Sequence, residues 1–257
     1  MLTIRSLFLL ALPLLAASRA VELDPRLAGL PDLPSQIAYT PAEALEHSFK
    51  AVHDAHQARK EALRRRGDSD EGIPGVVTTR NELNEGKCAD IIVIFARGTT
   101  EPGNVGDDVG PMFFIDLEKL EPGRVIIQGV NDYPATVWDF LIGGSTAGAK
   151  DMAKSVKLAS TQCPSSKIVL SGFSQGAQVT HKAAALLATS LYSKIGAIVL
   201  FGDPNNGDAF PGSLNNNVKT FCHDGDLICD GLPIPLDAHA NYEDDSGEAA
   251  AYVADRL

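Results

Sequence analysis

The sequence predicts a three-layer α/β sandwich built on a central, mainly parallel sheet of five strands. Five short runs, 90–95 (DIIVIF), 125–128 (VIIQ), 167–170 (KIVL), 198–201 (IVLF) and 218–221 (VKTF), have strand length and are rich in β-branched residues. They are largely unbroken rather than alternating, the pattern of strands buried on both faces. Segments of helical character lie between them, near 108–120, 145–161 and 176–192, and a last one covers 246–256. Strands that alternate with helices are joined by crossovers and pair in parallel. A chain of 257 residues is long enough to bury such a core in one large domain.

Taken in order, residues 1–20 carry Arg5, an apolar run from Leu7 to Leu15, and the small residues Ser18 and Ala20. This is the pattern of a signal peptide cleaved after Ala20. The run is too short for a membrane span, and no other stretch approaches the ~18 apolar residues a span needs. Secretion is therefore expected, without a membrane anchor. Residues 21–40 are rich in Pro and Leu and lack a period. Thr40, Pro41 and Glu43 then mark a helix start, through a capping box and a proline at the first helical position.

That helix should run to Arg66 and stop before Gly67. Arg64, Arg65 and Arg66 suit its C-terminal dipole. They also suit a dibasic processing site, which would make 21–66 a pro-segment. Residues 67–77 (GDSDEGIPGVV) read as a flexible linker. The expected organisation is thus a signal peptide at 1–20, a leader at 21–77 with a helix near 41–66, and the main domain at 78–257. Leu45, Phe49, Val52 and Leu63 give the leader helix a modest apolar stripe with which to dock on that domain. At the far end, Asp245 with Glu248 gives the last helix a capping signal.

Charge and cysteines narrow the function. The formal net charge is -11 and the pI about 4.9. Such a surface repels phosphate backbones, anionic membranes and polyanionic substrates, so no nucleic-acid or membrane partner is expected. Cys88, Cys163, Cys222 and Cys229 all follow the signal, and an oxidising compartment makes two disulfides the default. Cys222 and Cys229 are near in sequence and should close a short loop. That leaves Cys88 with Cys163, a long closure contributing on the order of 4 kcal/mol in the loop-entropy model. The C-x6-C spacing has no matching pair and is not a zinc spacing.

The chemistry starts from Gly172-Phe173-Ser174-Gln175-Gly176, which lies between a strand and a helix. G-x-S-x-G in this setting is the nucleophile elbow of α/β-hydrolases. The glycines permit a sharp turn that lifts Ser174 to a helix N-terminus, where the dipole favours developing negative charge. A serine hydroxyl needs a base, and in this fold class the acid and then the histidine follow the nucleophile. Among His181, His223 and His239, only His239 lies in a loop beyond all the acids. For the acid, Asp203, Asp208, Asp224, Asp226 and Asp230 compete. Asp224 and Asp226 share the Cys222–Cys229 loop, and position alone does not separate them. The oxyanion hole should use the Gln175 backbone N–H, with a second donor from the loop at 96–103 after the first strand.

These residues resemble the fungal cutinases, which share their fold with acetylxylan esterases. The resemblance covers about 78–257. It rests on ARGTTEPGNVG at 96–106, IIQGV at 126–130, QCP at 162–164, GFSQG at 172–176, VLFGDP at 199–204, CHDGDLIC at 222–229 and AHANY at 238–242. It implies Ser174 as nucleophile, Asp226 as acid, His239 as base, and Thr99 with Gln175 as the oxyanion hole. It pairs Cys88 with Cys163 and Cys222 with Cys229, in agreement with the spacing. A monomer that needs no cofactor or metal is expected.

The chain departs from the family pattern at several places. Thr99 stands where many cutinases have Ser, Phe140 where an Asn often supports that hydroxyl, and Ala240 where Leu usually follows the histidine. The leader is also longer than the family's short pro-segments. An apolar rim at Val137, Trp138, Ile234 and Pro235 would dock on an aliphatic polyester such as cutin. Stacking of Tyr133 and Trp138 on sugars would instead suit an acetylxylan esterase. A non-catalytic secreted binding protein on the same scaffold is the reading of another class. Since every chemical group lies after Cys88, residues 21–77 should be dispensable for the chemistry. A leader helix docked over the cleft would act as a lid or pro-segment.

Overall fold

The computed structural model describes residues 40–66 and 76–257. The expected signal peptide, residues 21–39 and most of the expected linker lie outside the described residues.

The first described element is helix α1, Pro41–Arg66. Its start is the capping box the sequence marks. The Glu43 N–H donates to Thr40 Oγ1 at 3.3 Å, and the Thr40 N–H donates to Glu43 Oε2 at 2.7 Å. The main domain then alternates strand and helix as β1 Ile91–Ala96, α2 Val109–Leu120, β2 Val125–Gly129, α3 Val137–Leu141, α4 Thr146–Gln162, β3 Lys167–Phe173, α5 Gln175–Leu186, β4 Ile195–Phe201, β5 Val218–Phe221 and α6 Ser246–Ala254. The sheet order is β2-β1-β3-β4-β5, and every pairing is parallel.

Alternation along each strand divides the core into two layers. Ile92, Ile94 and Ala96 of β1 face a layer with Met152 and Val156 of α4 and Val179 and Ala183 of α5. Ile91, Val93 and Phe95 face Phe113, Phe114 and Leu117 of α2 and Ala249 and Val253 of α6. With both faces covered, the unbroken apolar runs are accounted for. The chain passes from β1 to β2 on one side and from β2 back across to β3 on the other. The crevice beyond the C-terminal ends of β1 and β3 is therefore the switch point, where open α/β sheets bind ligands.

The disulfides join Cys88 to Cys163 and Cys222 to Cys229. The observed elements differ from the sequence expectation in four places. β3 and β4 are longer than their apolar runs, because Gly172 and Gly196 sit inside them. Each of those glycines meets a neighbour that a Cβ would strike, the Gly176 backbone at 2.3 Å and the Leu257 side chain at 2.0 Å. The helix expected to reach 192 ends at Leu186, and a 3₁₀ turn covers Thr189–Lys194. Thr189 and Ser190, poor in a helix interior, fall just past the break. The five-residue α3 has no periodic signal. Finally, Asp245 makes no side-chain cap on α6. Its carboxylate accepts from His223 Nε2 at 2.6 Å instead.

Candidate active site

Ser174 sits between β3 and α5 with φ 54° and ψ -119°, a conformation costly for a non-glycine residue. The turn closes only because its flanking glycines are bare. A Cβ on Gly176 would lie 1.9 Å from the Ala96 carbonyl oxygen. The Ser174 N–H donates to the Phe201 carbonyl at 2.9 Å, which fixes the elbow on β4.

Three of the expected residues come together in one line. Ser174 Oγ is 2.9 Å from His239 Nε2, and His239 Nδ1 is 2.8 Å from Asp226 Oδ2. All three side chains are buried. His239 ends a 3₁₀ turn at Asp237–His239, and its ring stacks on Phe173 at 5.1 Å. Asp226 lies in the loop tied by Cys222–Cys229, and its Oδ1 accepts the Ile228 N–H at 3.0 Å. Burial alone would raise the Asp226 carboxyl. Hydrogen bonds from His239, Tyr242 and Ile228, with the charge of His239, outweigh it and hold the carboxyl below its ordinary value. An ionised Asp226 accepts a hydrogen bond from the His239 Nδ1–H, which leaves Nε2 to accept from the serine hydroxyl.

The other candidates are placed elsewhere. Asp224, Asp208 and Asp230 are exposed. Asp203 accepts from the Asn205 N–H at 2.9 Å and meets His181 Nε2 at 2.9 Å, while the His181 ring stacks on Phe210 at 4.1 Å. His223 directs Nδ1 to the Ala238 carbonyl at 3.0 Å and Nε2 to Asp245, so both of its nitrogens are committed.

Several residues around the line carry no assigned role in the sequence reading. Tyr242, three residues after His239, donates its hydroxyl to Asp226 Oδ2 at 2.6 Å. Burial first, and the Asp226 carboxylate second, raise its phenol well above the ordinary value. The Gln175 side chain is another. Its Nε2 donates to Thr99 Oγ1 at 3.1 Å and to the Thr136 carbonyl at 2.8 Å. The hydroxyl that Phe140 cannot support is thus held from α5. Gln175 opens α5, so its backbone N–H has no partner within the helix.

Behind Thr99, the buried Glu101 organises the loop. It accepts N–H groups from Gly98 at 2.6 Å, Asp108 at 3.1 Å and Asp107 at 3.2 Å. Burial first, then the charge of Asp108, pushes its carboxyl up to about 7. A Cβ on Gly106 would strike this carboxylate at 2.3 Å, a spacing the sequence shows only as a glycine.

The expected apolar rim divides. Trp138 and Ile234 are exposed, at 64% and 47%. Pro235 is buried and lines the cavity beside Ser174. Val137 is buried in a cluster with Phe49, Phe140 and Ile228. Phe49 belongs to α1, so that helix lies on the site. Its ring meets Phe140 edge-on at 5.2 Å and His239 at 6.5 Å. Phe49, Val52 and His53 share one cavity with Thr99, Ser174, His239 and Ala240. The cavity measures about 30 Å³, room for a water or two.

Among the described residues one cluster could accept a metal ion, His56 with Asp108 and Glu243, whose ligand atoms lie within 4.8 Å of one another. A protonated imidazole between two carboxylates accounts for the same grouping. No helix among the described residues is long and apolar enough to cross a membrane.

Known proteins resemble this chain in sequence and fold. The family model described as Cutinase matches residues 87–257. Cutinase pbc1 of Pyrenopeziza brassicae is 45% identical over 183 residues, 71% of this chain and 88% of that protein. The cutinase of Botryotinia fuckeliana is 47% identical over 167 residues, 65% and 82% of the two chains. The structure of Trichoderma reesei cutinase with a phosphonate inhibitor superimposes with a TM-score of 0.68 at 37% identity, covering 84% of this chain and 91% of that one. An acetyl xylan esterase matches with a TM-score of 0.53 at 21% identity, a likeness of fold alone. By the family match and these identities, the chain belongs to the cutinase family.

Proposed function

We propose that this enzyme is secreted and hydrolyses aliphatic polyester and short to medium acyl esters through an acyl-enzyme on Ser174. The observation that carries the reading is the buried line Ser174–His239–Asp226 beneath a strained elbow. His239 Nε2 takes the hydroxyl proton as Ser174 Oγ attacks the ester carbonyl, and Asp226 steadies the imidazolium. The Gln175 N–H and Thr99 face the developing oxyanion. His239 returns the proton to the leaving alcohol. It then deprotonates the water that frees the acyl group. The exposed Trp138, Leu232, Ile234 and Leu236 form an apolar rim suited to a polymer surface. For acetylated xylan the same site lacks one expected sugar platform, because Tyr133 is buried with its hydroxyl on the Arg97 carbonyl at 3.0 Å.

The test compares a soluble short ester, a polyester film and acetylated xylan with wild type and Ser174→Ala. The reading expects turnover on the first two and at least a ~10³-fold loss in the variant. Faster acetate release from xylan than polyester release would overturn the substrate class.

A further inference from the structure

Tyr242 follows His239 closely in sequence, yet its hydroxyl reaches back to the acid. His239 ends the turn Asp237–His239, and Tyr242 opens a further 3₁₀ turn at Tyr242–Asp245. One short segment thus supplies the base and a second contact to the carboxylate that the base uses. The Tyr242 hydroxyl and His239 Nδ1 both donate to Asp226 Oδ2, at 2.6 and 2.8 Å, while the Ile228 N–H donates to Oδ1 at 3.0 Å. An ionised carboxylate has no proton to give, so the phenol is the donor. The Tyr242 oxygen in turn accepts the His223 N–H at 3.1 Å, which turns its own hydrogen toward Asp226. We propose that Tyr242 is a positioning residue of the ester hydrolysis, whose hydroxyl fixes the Asp226 carboxylate against the His239 imidazole. The proposal rests on the reading of Ser174, His239 and Asp226 as the catalytic line.

The surroundings hold the tyrosine for that task. Its ring is buried and stacks on His223 at 4.1 Å. His223 lies directly after Cys222, in the same disulfide loop as Asp226. The His223 ring reaches the Ala238 carbonyl at 3.0 Å and Asp245 Oδ2 at 2.6 Å. Ala238 precedes the base, and Asp245 ends the turn that Tyr242 opens. The segment bearing both rings is therefore pinned at each end to the loop that carries the acid. On the other side, Gly202 follows β4 without a side chain. A Cβ there would stand 2.7 Å from His239 Cε1 and 2.8 Å from Tyr242 Cε2. The bare position lets both rings lie against the end of the strand.

A buried tyrosine hydroxyl needs a partner, and a backbone carbonyl or a water would satisfy it equally well. The partner chosen is the oxygen that faces the imidazole, with two consequences for catalysis. Oδ1 is fixed by a backbone donor and Oδ2 by the phenol, so the carboxylate is aimed before His239 is called on. Donation to Oδ2 also draws off part of its charge, which tempers its pull on an imidazolium. The titratable groups near the hydroxyl, Asp226, His239, His223 and Asp245, all remain when the hydroxyl alone is removed.

The experiment measures kcat and KM on a soluble short ester from about pH 5 to 9, a range that spans the acid limb. It uses the full secreted chain as wild type, Tyr242→Phe, Asp226→Ala and the double variant, and a chain with 3-fluorotyrosine in place of Tyr242. Tyr242→Phe is expected to lower plateau kcat roughly tenfold, the scale of one charge-assisted hydrogen bond, with KM changed less than about twofold. With charge no longer drawn from Oδ2, the imidazolium persists to higher pH, and the acid limb of kcat/KM should move up by about half a unit or more. The fluorinated phenol is a stronger donor that keeps the ring. It should move the limb the other way, and it covers the case in which Tyr242→Phe folds poorly. In the Asp226→Ala background the loss from Tyr242→Phe should shrink to less than about twofold, because the hydroxyl acts through that carboxylate. A plateau and limb unmoved in both tyrosine variants, or an equal loss in both backgrounds, would make Tyr242 a packing residue and overturn the proposal. Wild-type turnover by Asp226→Ala would instead overturn the reading of the acid on which it rests.

Discussion

Asp226 and Asp224 are two residues apart, yet only one can serve His239. Asp226 is buried and accepts from His239 Nδ1, Tyr242 and Ile228, whereas Asp224 is exposed. Asp226→Asn is therefore expected to lower turnover by ~10⁴-fold, because an amide at this point favours the wrong imidazole tautomer. Asp224→Asn should change turnover less than about threefold, and steady-state kinetics of both variants on one soluble ester checks the contrast. The Asp226 carboxyl is held below its unfolded value, so its contribution to stability is present above that value and is lost as pH falls through the lower folded one. The choice between the two acids was not legible in the residues alone, since spacing puts both on the same disulfide loop. The same holds for the Gln175 side chain. The motif marks its backbone, while its amide reaches Thr99 only because the elbow brings α5 against the loop after β1.

Among the elements, the strands were the most legible, because burial on both faces demands unbroken apolar runs. Their ends were not, since Gly172 and Gly196 continue strands for reasons of close approach that no propensity expresses. Helix α1 could be read at its start from Thr40, Pro41 and Glu43 and at its end from Gly67. Where it docks depends on Phe140 and Ile228, distant residues whose meeting only the fold creates. The Cys88–Cys163 bridge acts at this scale as well, tying the segment before β1 to the end of α4. The bridge spans a separation of 75 residues and precedes β1 and β3, at the opposite ends of those strands from Thr99 and Ser174. Replacing both cysteines by serine is expected to lower stability by on the order of 4 kcal/mol with little change in kcat on a short ester. Urea unfolding with parallel kinetics measures both. An unchanged unfolding midpoint would contradict the assigned contribution.

At the scale of the whole molecule, the parallel sheet delivers the chemistry to one edge. β1 ends at the loop carrying Thr99, β3 ends at Ser174, and the segments after β5 return Asp226 and His239 to the same crevice. The order of the motifs along the chain made this convergence readable, because the fold class fixes which strand ends share an edge. The covering of that edge by α1 was open in the sequence, as either a lid or a helix docked elsewhere. The central claim is that one serine at this edge carries the acyl group. It is tested most directly by treating the enzyme with a short alkyl phosphonate ester at alkaline pH and mapping the adduct by peptide mass spectrometry while residual activity is followed. The account predicts one phosphonyl group per chain, on the peptide containing Ser174, with activity lost in proportion to labelling. Full inactivation with the adduct on another residue, or full activity with Ser174 labelled, would contradict it.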